Sequence, residues 1–533
     1  MGEKDLESVL DDVWNEKKKK RLIPLRKPTL DYSLQTLGIG TSYIDILSKE
    51  IKINPGFIKE LKKNGLDYKN SLDGIIDHEI GHYFIMPYSL TIKLLEMTAL
   101  RDMADDENDE KGIMKRGIII NYFNDVAVNL NIILRENETS NNLGSVYKNM
   151  DDKDSKIGKL LRAYYHSFAK NIDFGADFND LDDSLKEKFI ALGSIDFNPK
   201  NKMAILQNIS VFRRLIEDLV EAEPNGHTFD GDSLPIDKST EEEKRKALRE
   251  LAGVLTPKEY KYAYNILNND GETGYSHGKE DTDSKKADSS IIEYYKNKAL
   301  GYPIQVRGIP LINEETQKTS LSEWNPSDGA RKMNPLRSGG RIIPGITKKW
   351  VEGKYYTYGQ KTRIPDCIIV IDSSGSMKRI SSGESYAAIA AVSAAIQYIN
   401  NGSKVDIVNF SSITKITKYQ SEKGVLEAIL EDQQADTNFP YVELQKLLYE
   451  GNKDLIVISD GMVDYEHLTN FLGMVNKLSK NNRNSFIYIR KHDPSNYDYN
   501  ELTNRYKNIR FHAIKEEADI PNLVLGDTSY GSK

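Results

Sequence analysis

The spacing of apolar residues divides the chain into a helical part and a later part in which strands and helices alternate. Between about residues 30 and 222, apolar side chains recur every three or four positions, as in SLDGIIDHEIGHYFIM and NISVFRRLIEDLVEAE, and this period predicts amphipathic helices. From residue 365 onward, the β-rich runs CIIVIDSS, KVDIVNF, DLIVISDG and SFIYIRK alternate with helical stretches such as SYAAIAAVSAAIQYI. Continuous apolar strands separated by helices are typical of a parallel sheet with both faces covered. The pattern predicts a multidomain chain, with a mainly α-helical domain over 1–223 and a doubly wound α/β domain over 365–533.

Two intervening segments lack a clear period. Residues 224–290 are rich in Gly, Asp, Ser and Lys and contain few large apolar side chains. Such a segment buries too little surface to offset its ordering entropy, so we predict a polar flexible linker or insertion with one short helix. Residues 291–364 mix short strand-like runs with turn residues, which predicts a connecting region of uncertain fold.

Composition and charge narrow the class of protein. A chain of 533 residues exceeds what one hydrophobic core usually serves, so two or three domains are expected. The net charge of −7 argues against nucleic acid as a partner, because nucleic-acid-binding proteins usually carry a basic field. We interpret the local basic run KKKKR at 17–21 as a solvated helix face.

The sequence predicts a cytoplasmic protein that does not associate with a membrane. The N-terminus is charged from its third residue, unlike a signal peptide, and no window approaches about 20 uninterrupted apolar residues. With one cysteine the chain cannot form an internal disulfide, which fits a reducing compartment. That residue, Cys367, lies in an apolar run and is expected to be a small buried side chain rather than a nucleophile.

The motif HEIGH, residues 78–82, is the first candidate for metal chemistry. On a helix, His78 and His82 fall on one side, and the opposite side gathers Leu72, Ile75, Ile76, Ile80, Tyr83 and Phe84. Two imidazoles one turn apart can take two corners of a zinc tetrahedron. Glu79 lies beside them, where it could act as general base toward a water that Zn2+ activates. The chain has only eight histidines, so this spacing rarely arises by chance.

A catalytic zinc site needs a third protein ligand and a further position for water. The best candidate is Asp125 in NYFNDVAVNLNI, because a carboxylate in an apolar helical run is costly to bury unless it is paired or binds metal. The alternative is an exposed helix position, or a hydrogen bond to Asn121 or Asn129. Three other residues remain candidate ligands: Glu96, Asp105 and His166. Of these, His166 lies in the run LLRAYYHSF, and a histidine there is more often a core residue whose ring nitrogens already have hydrogen-bond partners.

The combination of HEIGH with a following helix of the form N-D-x-x-x-N resembles predicted metallopeptidases that carry a C-terminal von Willebrand factor A-like domain. The resemblance is specific at these two motifs. It implies a zincin-like helical domain in which His78, His82 and Asp125 bind Zn2+. It also implies that Glu79 is the base and that Asn129 supports the ligands.

The run IVIDSSGSM is the second candidate for metal chemistry. It places Asp372, Ser374 and Ser376 directly after a predicted strand, where the loops of a parallel sheet usually form the ligand crevice. A carboxylate and two hydroxyls are hard oxygen ligands suited to Mg2+. The alternative is that these residues only cap turns.

This second pattern resembles the metal-ion-dependent adhesion site (MIDAS) of von Willebrand factor A domains, over roughly 365–527. The family expects a Thr on a later loop and an Asp after the fourth strand, and the chain offers Thr437 in ADTNFP and Asp460 in VISDGM. The family's Thr commonly follows two glycines, whereas Ala435 and Asp436 precede it here, which implies another loop path. The resemblance implies bound Mg2+ or Mn2+ that takes a carboxylate from a protein partner or substrate.

Two functions of different classes follow from these resemblances. The first is a zinc-dependent peptidase, a hydrolase, whose C-terminal domain recruits a protein partner or substrate through the MIDAS. The alternative is a non-catalytic metal-dependent adaptor or chaperone-like module that works with a MoxR-type AAA+ ATPase. The chain itself lacks a Walker phosphate-binding loop. An intact Glu79 favours the enzyme, because a structural metal site needs ligands but no base.

Overall fold

The structure is a computed structural model that divides the chain into two compact units. The first unit comprises Met1–Ser284, Ser289–Asn297 and Ser381–Gly383, and the second comprises Lys285–Asp288, Lys298–Ile380 and Glu384–Lys533. The described residues are all except 1–2, 21–22, 36–40, 46–47, 88, 104–108, 136, 151–154, 199, 223–235, 237–238, 269–287, 303–308, 335, 339–342, 344–345, 376, 378–379, 382, 434–435, 451–452, 460–464, 479–484, 491–503, 507–508, 515–516, 523 and 525–533.

The first unit is mainly helical. Its helices are α1 (Glu3–Lys20), α2 (Pro55–Lys63), α3 (Tyr68–Phe84), α4 (Leu90–Ala99), α5 (Glu110–Arg135), α6 (Asn137–Asn149), α7 (Lys156–Phe168), α8 (Asp183–Leu192), α9 (Lys202–Ala222), α10 (Glu241–Ala252), α11 (Pro257–Asn268) and α12 (Ser289–Ala299), which runs two residues beyond the unit. A small sheet of β1 (Thr29–Leu30), β2 (Ser42–Asp45) and β3 (Glu50–Ile53) has the order β1-β3-β2, so β2 lies at one edge.

Helix α3 carries HEIGH and is buried on almost every side. Its N-cap Asp67 accepts a hydrogen bond from the backbone N–H of Asn70, which fixes the start of the helix. From Ser71 to His82 every residue is buried except the half-buried Asp73. Helices α5 and α6 pack against α3, and His78, on the side opposite the predicted apolar one, lines a cleft. Phe84, expected on the buried side, is 51% exposed.

The basic run at the end of α1 is only partly solvated. Lys17 is 7% exposed, and its Nζ lies 2.8 Å from Asp73 Oδ1 and 2.7 Å from Asp77 Oδ2 of α3. The prediction of a solvated face is therefore wrong for Lys17, whose charge joins α1 to the helix of the metal motif. The next three lysines are exposed, as predicted, and Arg21 lies outside the described residues.

Helix α5 is the central helix of this unit. Its stretch Lys111–Leu134 is long and apolar enough to cross a membrane by length and composition alone, but 61% of its most apolar window is buried within the protein. It packs against α3, α6, α7 and α9. A core helix of a globular unit has these properties as well.

The predicted linker at 224–290 contains two helices rather than one. Helices α10 and α11 both pack against α4, and the Thr91 hydroxyl of α4 donates to Glu250 Oε2 of α10 at 2.9 Å. Buried apolar side chains, including Leu251 and Ile266, provide the contact area. The sequence pattern does not predict both helices, because the polar composition of the whole segment outweighs these short amphipathic stretches.

The second unit begins with long antiparallel strands. Strands β4 (Ile309–Glu323) and β6 (Lys348–Arg363) pair along most of their length, and β5 (Met333–Asn334) pairs with the start of β6. The connecting region of uncertain fold thus contains a three-stranded sheet of order β4-β6-β5.

The remainder of the second unit is a six-stranded sheet with helices. It contains β7 (Cys367–Asp372), α13 (Tyr386–Asn400), β8 (Val405–Phe410), β9 (Thr414–Thr417), α14 (Glu422–Ile429), α15 (Tyr441–Tyr449), β10 (Asp454–Ser459), α16 (Tyr465–Leu478), β11 (Ser485–Arg490) and β12 (Arg510–Ile514). The order is β9-β8-β7-β10-β11-β12, and all neighbours are parallel except β8 and β9. Counted from β7, this is the 3-2-1-4-5-6 order of doubly wound sheets, and the order reverses between β7 and β10.

Helices cover both faces of this sheet. On one face, Ile368, Val370 and Val457 form a buried cluster with side chains of α15 and α16. On the other face, the Tyr398 hydroxyl of α13 donates to Asp454 Oδ2 at 2.8 Å. Every residue of β7, β8 and β10 is buried, as expected for parallel strands between two layers.

The predicted architecture of a helical part followed by an α/β part is confirmed. The apolar pattern predicts β7, β8, β10 and β11. It misses β9, which is short and partly exposed, and β12, in which Arg510 and His512 break the apolar run. Cys367 is buried, as predicted, and burial raises the pKa of its thiol well above the usual value.

Candidate metal centre

Three electron-pair donors converge between α3 and α5. His78 Nε2 and His82 Nε2 are 3.0 Å apart, and Asp125 Oδ1 lies 3.5 Å from the first and 3.1 Å from the second. The structure therefore brings Asp125 to both histidines, rather than to an exposed position on α5. Among the described residues, this trio is the one group of His, Cys, Asp or Glu side chains close enough to hold a metal ion.

Each histidine is oriented by a hydrogen bond on its far nitrogen. His82 Nδ1 lies 2.7 Å from the carbonyl oxygen of Met86, which can only accept, so this nitrogen carries the proton. His78 Nδ1 lies 2.8 Å from Asn129 Oδ1. The Asn129 amide nitrogen in turn donates to the hydroxyls of Tyr147 at 2.6 Å and Tyr165 at 3.0 Å. In the neutral rings, both Nε2 lone pairs therefore face Asp125, as metal ligands require.

The spacing of the three atoms fits a zinc ion. Ligand atoms at about 2.0–2.1 Å from a tetrahedral Zn2+ are about 3.3 Å apart, and the observed separations are 3.0, 3.1 and 3.5 Å. Two neutral imidazoles and a carboxylate are donors that Zn2+ commonly takes, with a fourth position left for water. The residues present thus fit the ion that the sequence motif implies.

The ionisable groups of the cluster shift one another's pKa. Burial lowers the pKa of His78 more than any other single effect, but the hydrogen bond to Asp125 and the charges of Asp125 and Glu79 together outweigh it, so the net pKa lies above its usual value. Burial alone raises the pKa of Asp125, whereas the hydrogen bonds to His78 and His82 hold it well below its usual range. The carboxylate therefore stays ionised, and a proton competes with a cation for the lone pairs of the histidines.

Glu79 lies behind the wall of the cleft. Its side chain is fully buried, and its Oε1 accepts a hydrogen bond of 2.5 Å from the hydroxyl of Ser42 in β2. Ser42 itself lines the cleft that reaches His78 and Asp125. The predicted base is thus the neighbour in sequence of the candidate ligand His78, and the Ser42 hydroxyl that contacts Glu79 belongs to a residue of the cleft wall.

The other candidate ligands do not join the cluster. His166 donates from Nδ1 to the carbonyl of Ile172 at 2.8 Å, as a satisfied histidine does. Glu96 is fully buried in α4, and burial raises the pKa of its carboxyl to about 8. It is not among the residues whose ligand atoms converge. Asp105 lies outside the described residues.

A cleft opens beside the metal centre. His78 and Asp125 lie in its wall together with Thr41, Ser42, Tyr147 and Tyr165. The remaining lining is mostly apolar, and the cavity volume is about 80 Å³. Burial raises the pKa of both Tyr147 and Tyr165 well above the usual value, so their hydroxyls stay protonated.

The second predicted site lies at the point where the order of the parallel sheet reverses. Asp372 ends β7, and its Oδ2 accepts a 2.7 Å hydrogen bond from the hydroxyl of Ser459, which ends the neighbouring strand β10. Its Oδ1 accepts the backbone N–H of Ser374 at 3.0 Å. Asp372 and Ser374 are both buried. This is the crevice in which doubly wound sheets usually bind ligands.

The other residues of this predicted site are placed only in part. Thr437 is half-buried, and the backbone N–H of the next residue, Asn438, donates to the carbonyl of Ser411 at 2.8 Å, just after β8. The Thr437 segment is therefore held at the end of the strand beside β7. Ser376 and Asp460 lie outside the described residues.

Several contacts of the two sites have no local signal in the sequence. Ser42 meets Glu79 from 37 positions away, and the Met86 contact uses a backbone oxygen that carries no residue-specific signal. Ser459 could have been found, because it is the polar residue that ends a predicted strand next to β7. Tyr147 and Tyr165 come from helices α6 and α7 and carry no motif.

Comparisons with known proteins add little to this geometry. No family model matches the chain, and no curated protein matches it. Among solved structures, the chain is similar to the crystal structure of the Deinococcus radiodurans RO (RSR) protein, with 12% sequence identity. The match covers 89% of this chain and 93% of that chain, with a TM-score of 0.20. This similarity is too slight for a structural argument, so the function is argued from the residues of the chain itself.

Proposed function

We propose that the chain is a zinc-dependent peptidase, and that its α/β unit recruits a protein partner or substrate through a Mg2+- or Mn2+-dependent site. The observation that carries the proposal is the convergence of His78 Nε2, His82 Nε2 and Asp125 Oδ1, at separations of 3.0 to 3.5 Å. These three residues would hold the Zn2+ ion. When bound, such an ion lowers the pKa of water and polarises a carbonyl oxygen.

The chain's own residues have distinct roles in this proposal. In the neutral rings, Asn129 and the Met86 carbonyl hold the proton on Nδ1, which leaves the ligand nitrogens of both histidines free for a metal ion. Glu79 is the general base that takes a proton from the attacking water. The Ser42 hydroxyl donates to Glu79 Oε1, and Ser42 lines the cleft. The proton therefore passes to Glu79 by way of the Ser42 hydroxyl, or directly once the Ser42 side chain has rotated away. The apolar cleft holds the substrate and excludes bulk water.

The recruiting site is proposed from the end of the parallel sheet. The doubly wound strand order and the position of Asp372 and Ser374 at its reversal support a von Willebrand factor A-like unit with a MIDAS. Ser376, Thr437 and Asp460 complete the proposed ligand set. As such sites do, it would take a carboxylate from a partner protein, and a cytoplasmic MoxR-type AAA+ ATPase belongs to this part of the proposal.

One observation favours a second function. Glu79 is completely buried, and a general base must come within hydrogen-bond reach of the proton that it removes. If Glu79 only braces the helix through Ser42, then the centre is structural. The chain would then be a non-catalytic metal-dependent adaptor.

A single substitution separates the two functions. The full chain, Glu79→Gln and His82→Ala are purified, their zinc content is measured, and cleavage of a peptide library from a digested cell extract is read by mass spectrometry. The peptidase predicts about one zinc per chain in the first two proteins and at least a hundredfold slower cleavage in Glu79→Gln. His82→Ala should lose zinc. Absence of zinc from the unmodified chain, or cleavage that survives Glu79→Gln, would rule out the peptidase.

A further inference from the structure

The cleft beside the metal centre has a lining that selects by polarity. Six of its side chains are apolar: Phe57, Ile75, Leu143, Val146, Met150 and Leu161. They come from α2, α3, α6 and α7 and from the residue directly after α6, and helix α5 contributes Tyr122 and Asp125 to the same lining. Of the described residues that line the cleft, the two that can carry a charge are His78 and Asp125, which belong to the metal centre itself.

The volume of the cleft is about that of one side chain. A cavity volume of about 80 Å³, at roughly 10–15 Å³ for each water-sized occupant, holds about six non-hydrogen atoms. A leucine side chain has four such atoms and a phenylalanine side chain has seven. A charged side chain of similar length would lose its hydration without gaining a partner, because the described residues of the wall offer no opposite charge outside the metal centre.

A buried hydroxyl in the same wall lacks a partner. Thr41 is 4% exposed, and no described residue makes a hydrogen bond with its Oγ1. The next residue, Ser42, begins the edge strand β2 and donates its hydroxyl to Glu79, whereas the Thr41 hydroxyl makes no such bond. A buried hydroxyl without a partner is costly, and a ligand in the cleft can remove that cost by supplying a polar group next to its apolar side chain.

We infer that this cleft is the specificity site of the proposed peptidase, and that it takes an uncharged apolar side chain of leucine to phenylalanine size. Thr41 Oγ1 makes the accompanying hydrogen bond to a polar group of the peptide backbone. This inference rests on the proposed function, because the cleft can select substrates for cleavage only if the metal centre beside it is catalytic. The inference names the class of substrate, which the two metal motifs by themselves do not indicate.

The test uses five amino acid hydroxamates as probes, those of glycine, leucine, phenylalanine, glutamate and lysine. Dissociation constants are measured by calorimetry on the zinc-loaded full chain. Leucine and phenylalanine hydroxamates should bind at least about tenfold more tightly than glycine hydroxamate, as burial of such side chains generally gives. Glutamate and lysine hydroxamates should bind no more tightly than glycine hydroxamate.

Two variants connect this preference to the cleft. Val146→Phe fills the cavity, so it should abolish the preference for leucine and phenylalanine while zinc content and glycine hydroxamate affinity stay within about threefold. Val442→Phe is the matched control, because Val442 is 54% exposed on α15, and it should keep the preference. Equal binding of all five probes, or a preference that persists in Val146→Phe, would overturn the inference.

Thr41→Val tests the hydroxyl with a readout that a purely structural role would not give. The substitution removes a buried polar atom that lacks a partner, so it should raise the melting temperature by about 2–4 °C. It should nevertheless weaken leucine hydroxamate about three- to tenfold, and Thr41→Ser should restore the affinity. Unchanged affinity in Thr41→Val would overturn the role given to Thr41.

The outcomes also separate this inference from the proposed function. A chain that binds zinc and all five hydroxamates alike keeps its metal centre and loses only the specificity site. A chain that binds no zinc, or no hydroxamate at all, loses the proposed function and the inference with it.

Discussion

At the scale of single residues, the candidate centre depends on where two protons sit. A histidine ligand is useful only if its other nitrogen holds the ring proton, and here Asn129 Oδ1 and the Met86 carbonyl fix both protons on Nδ1. The Asn129 amide can face His78 only with its oxygen, because its nitrogen donates to Tyr147 and Tyr165. The orientation of one imidazole is thus set by two phenols on other helices.

Asn129→Ala tests this arrangement. Without the amide oxygen, His78 can hold its proton on either nitrogen, so zinc affinity should fall about 10- to 100-fold. Competition with a chromophoric chelator measures the change. Asn131→Ala is the matched control, since Asn131 is a half-buried asparagine of the same helix, and its affinity should stay as in the unmodified chain. Equal affinities in all three proteins would contradict the role of Asn129.

A second residue-scale prediction concerns pH. Burial raises the pKa of Glu96 to about 8, against the opposing effects of Lys93, Asn124 and His82. The folded chain therefore keeps a proton that the unfolded chain releases near the usual pKa of 4.5. Stability falls as pH rises between these two values. Glu96→Gln removes the titration and keeps the shape of the protonated carboxyl.

Glu96→Gln should match the original chain near pH 4 and exceed it by a few kcal/mol above pH 8. Urea unfolding at a series of pH values measures the difference. Glu187→Gln, on the exposed face of α8, should leave the pH dependence as it is. A stability gain in Glu96→Gln that is the same at every pH would mean that Glu96 does not titrate in this range.

At the scale of elements, the three candidate ligands converge because α3 and α5 approach closely. A Cβ at Gly81 would lie 2.4 Å from Val128 Cγ1 of α5, closer than two carbons can come. The glycine of HEIGH thus leaves room for the helix that brings Asp125 to the histidines. Gly74 allows a similarly close approach of α6, because a Cβ at Gly74 would lie 3.0 Å from the backbone of Asn142.

Gly81→Ala should therefore cost about 1–3 kcal/mol of unfolding free energy through overpacking and should weaken zinc binding, because α5 must move. In a Val128→Ala background the same change should cost less, since the clashing methyl group is gone. Gly117→Ala on α5 is the control: a Cβ there meets nothing within 4 Å, so it should stabilise the helix by up to about 1 kcal/mol. An equal cost of Gly81→Ala in both backgrounds would contradict the close approach.

At the scale of the whole molecule, the sequence predicts architecture better than contacts. The period of apolar residues predicts the helical part, and four β-rich runs predict the core strands of the sheet, because both signals are local. Asp125 could be proposed as a ligand only from the cost of burying a carboxylate among apolar residues. The Ser42 contact to Glu79 and the Lys17 contacts to α3 join distant segments. Neither has a periodic signal, since tertiary packing decides both.

The two candidate sites belong to different compact units, so each metal should be removable without the other. Asp372→Ala takes away a carboxylate that receives hydrogen bonds from Ser459 and from the backbone of Ser374. It should abolish Mn2+ binding, measured by electron paramagnetic resonance, and leave the zinc content unchanged. His82→Ala should do the reverse.

Asp366→Ala is the matched control for this pair. Asp366 precedes the other end of β7, where its Oδ1 accepts the backbone N–H of Lys404 at 2.9 Å. The Asp366→Ala substitution removes the same charge from the same unit as Asp372→Ala does. Loss of Mn2+ binding in the Asp366→Ala protein would therefore indicate a general effect of net charge rather than loss of a specific site. Loss of zinc in Asp372→Ala would mean that the α/β unit supports the helical unit's metal centre, and recruitment and hydrolysis could then not be treated as separate devices of one chain.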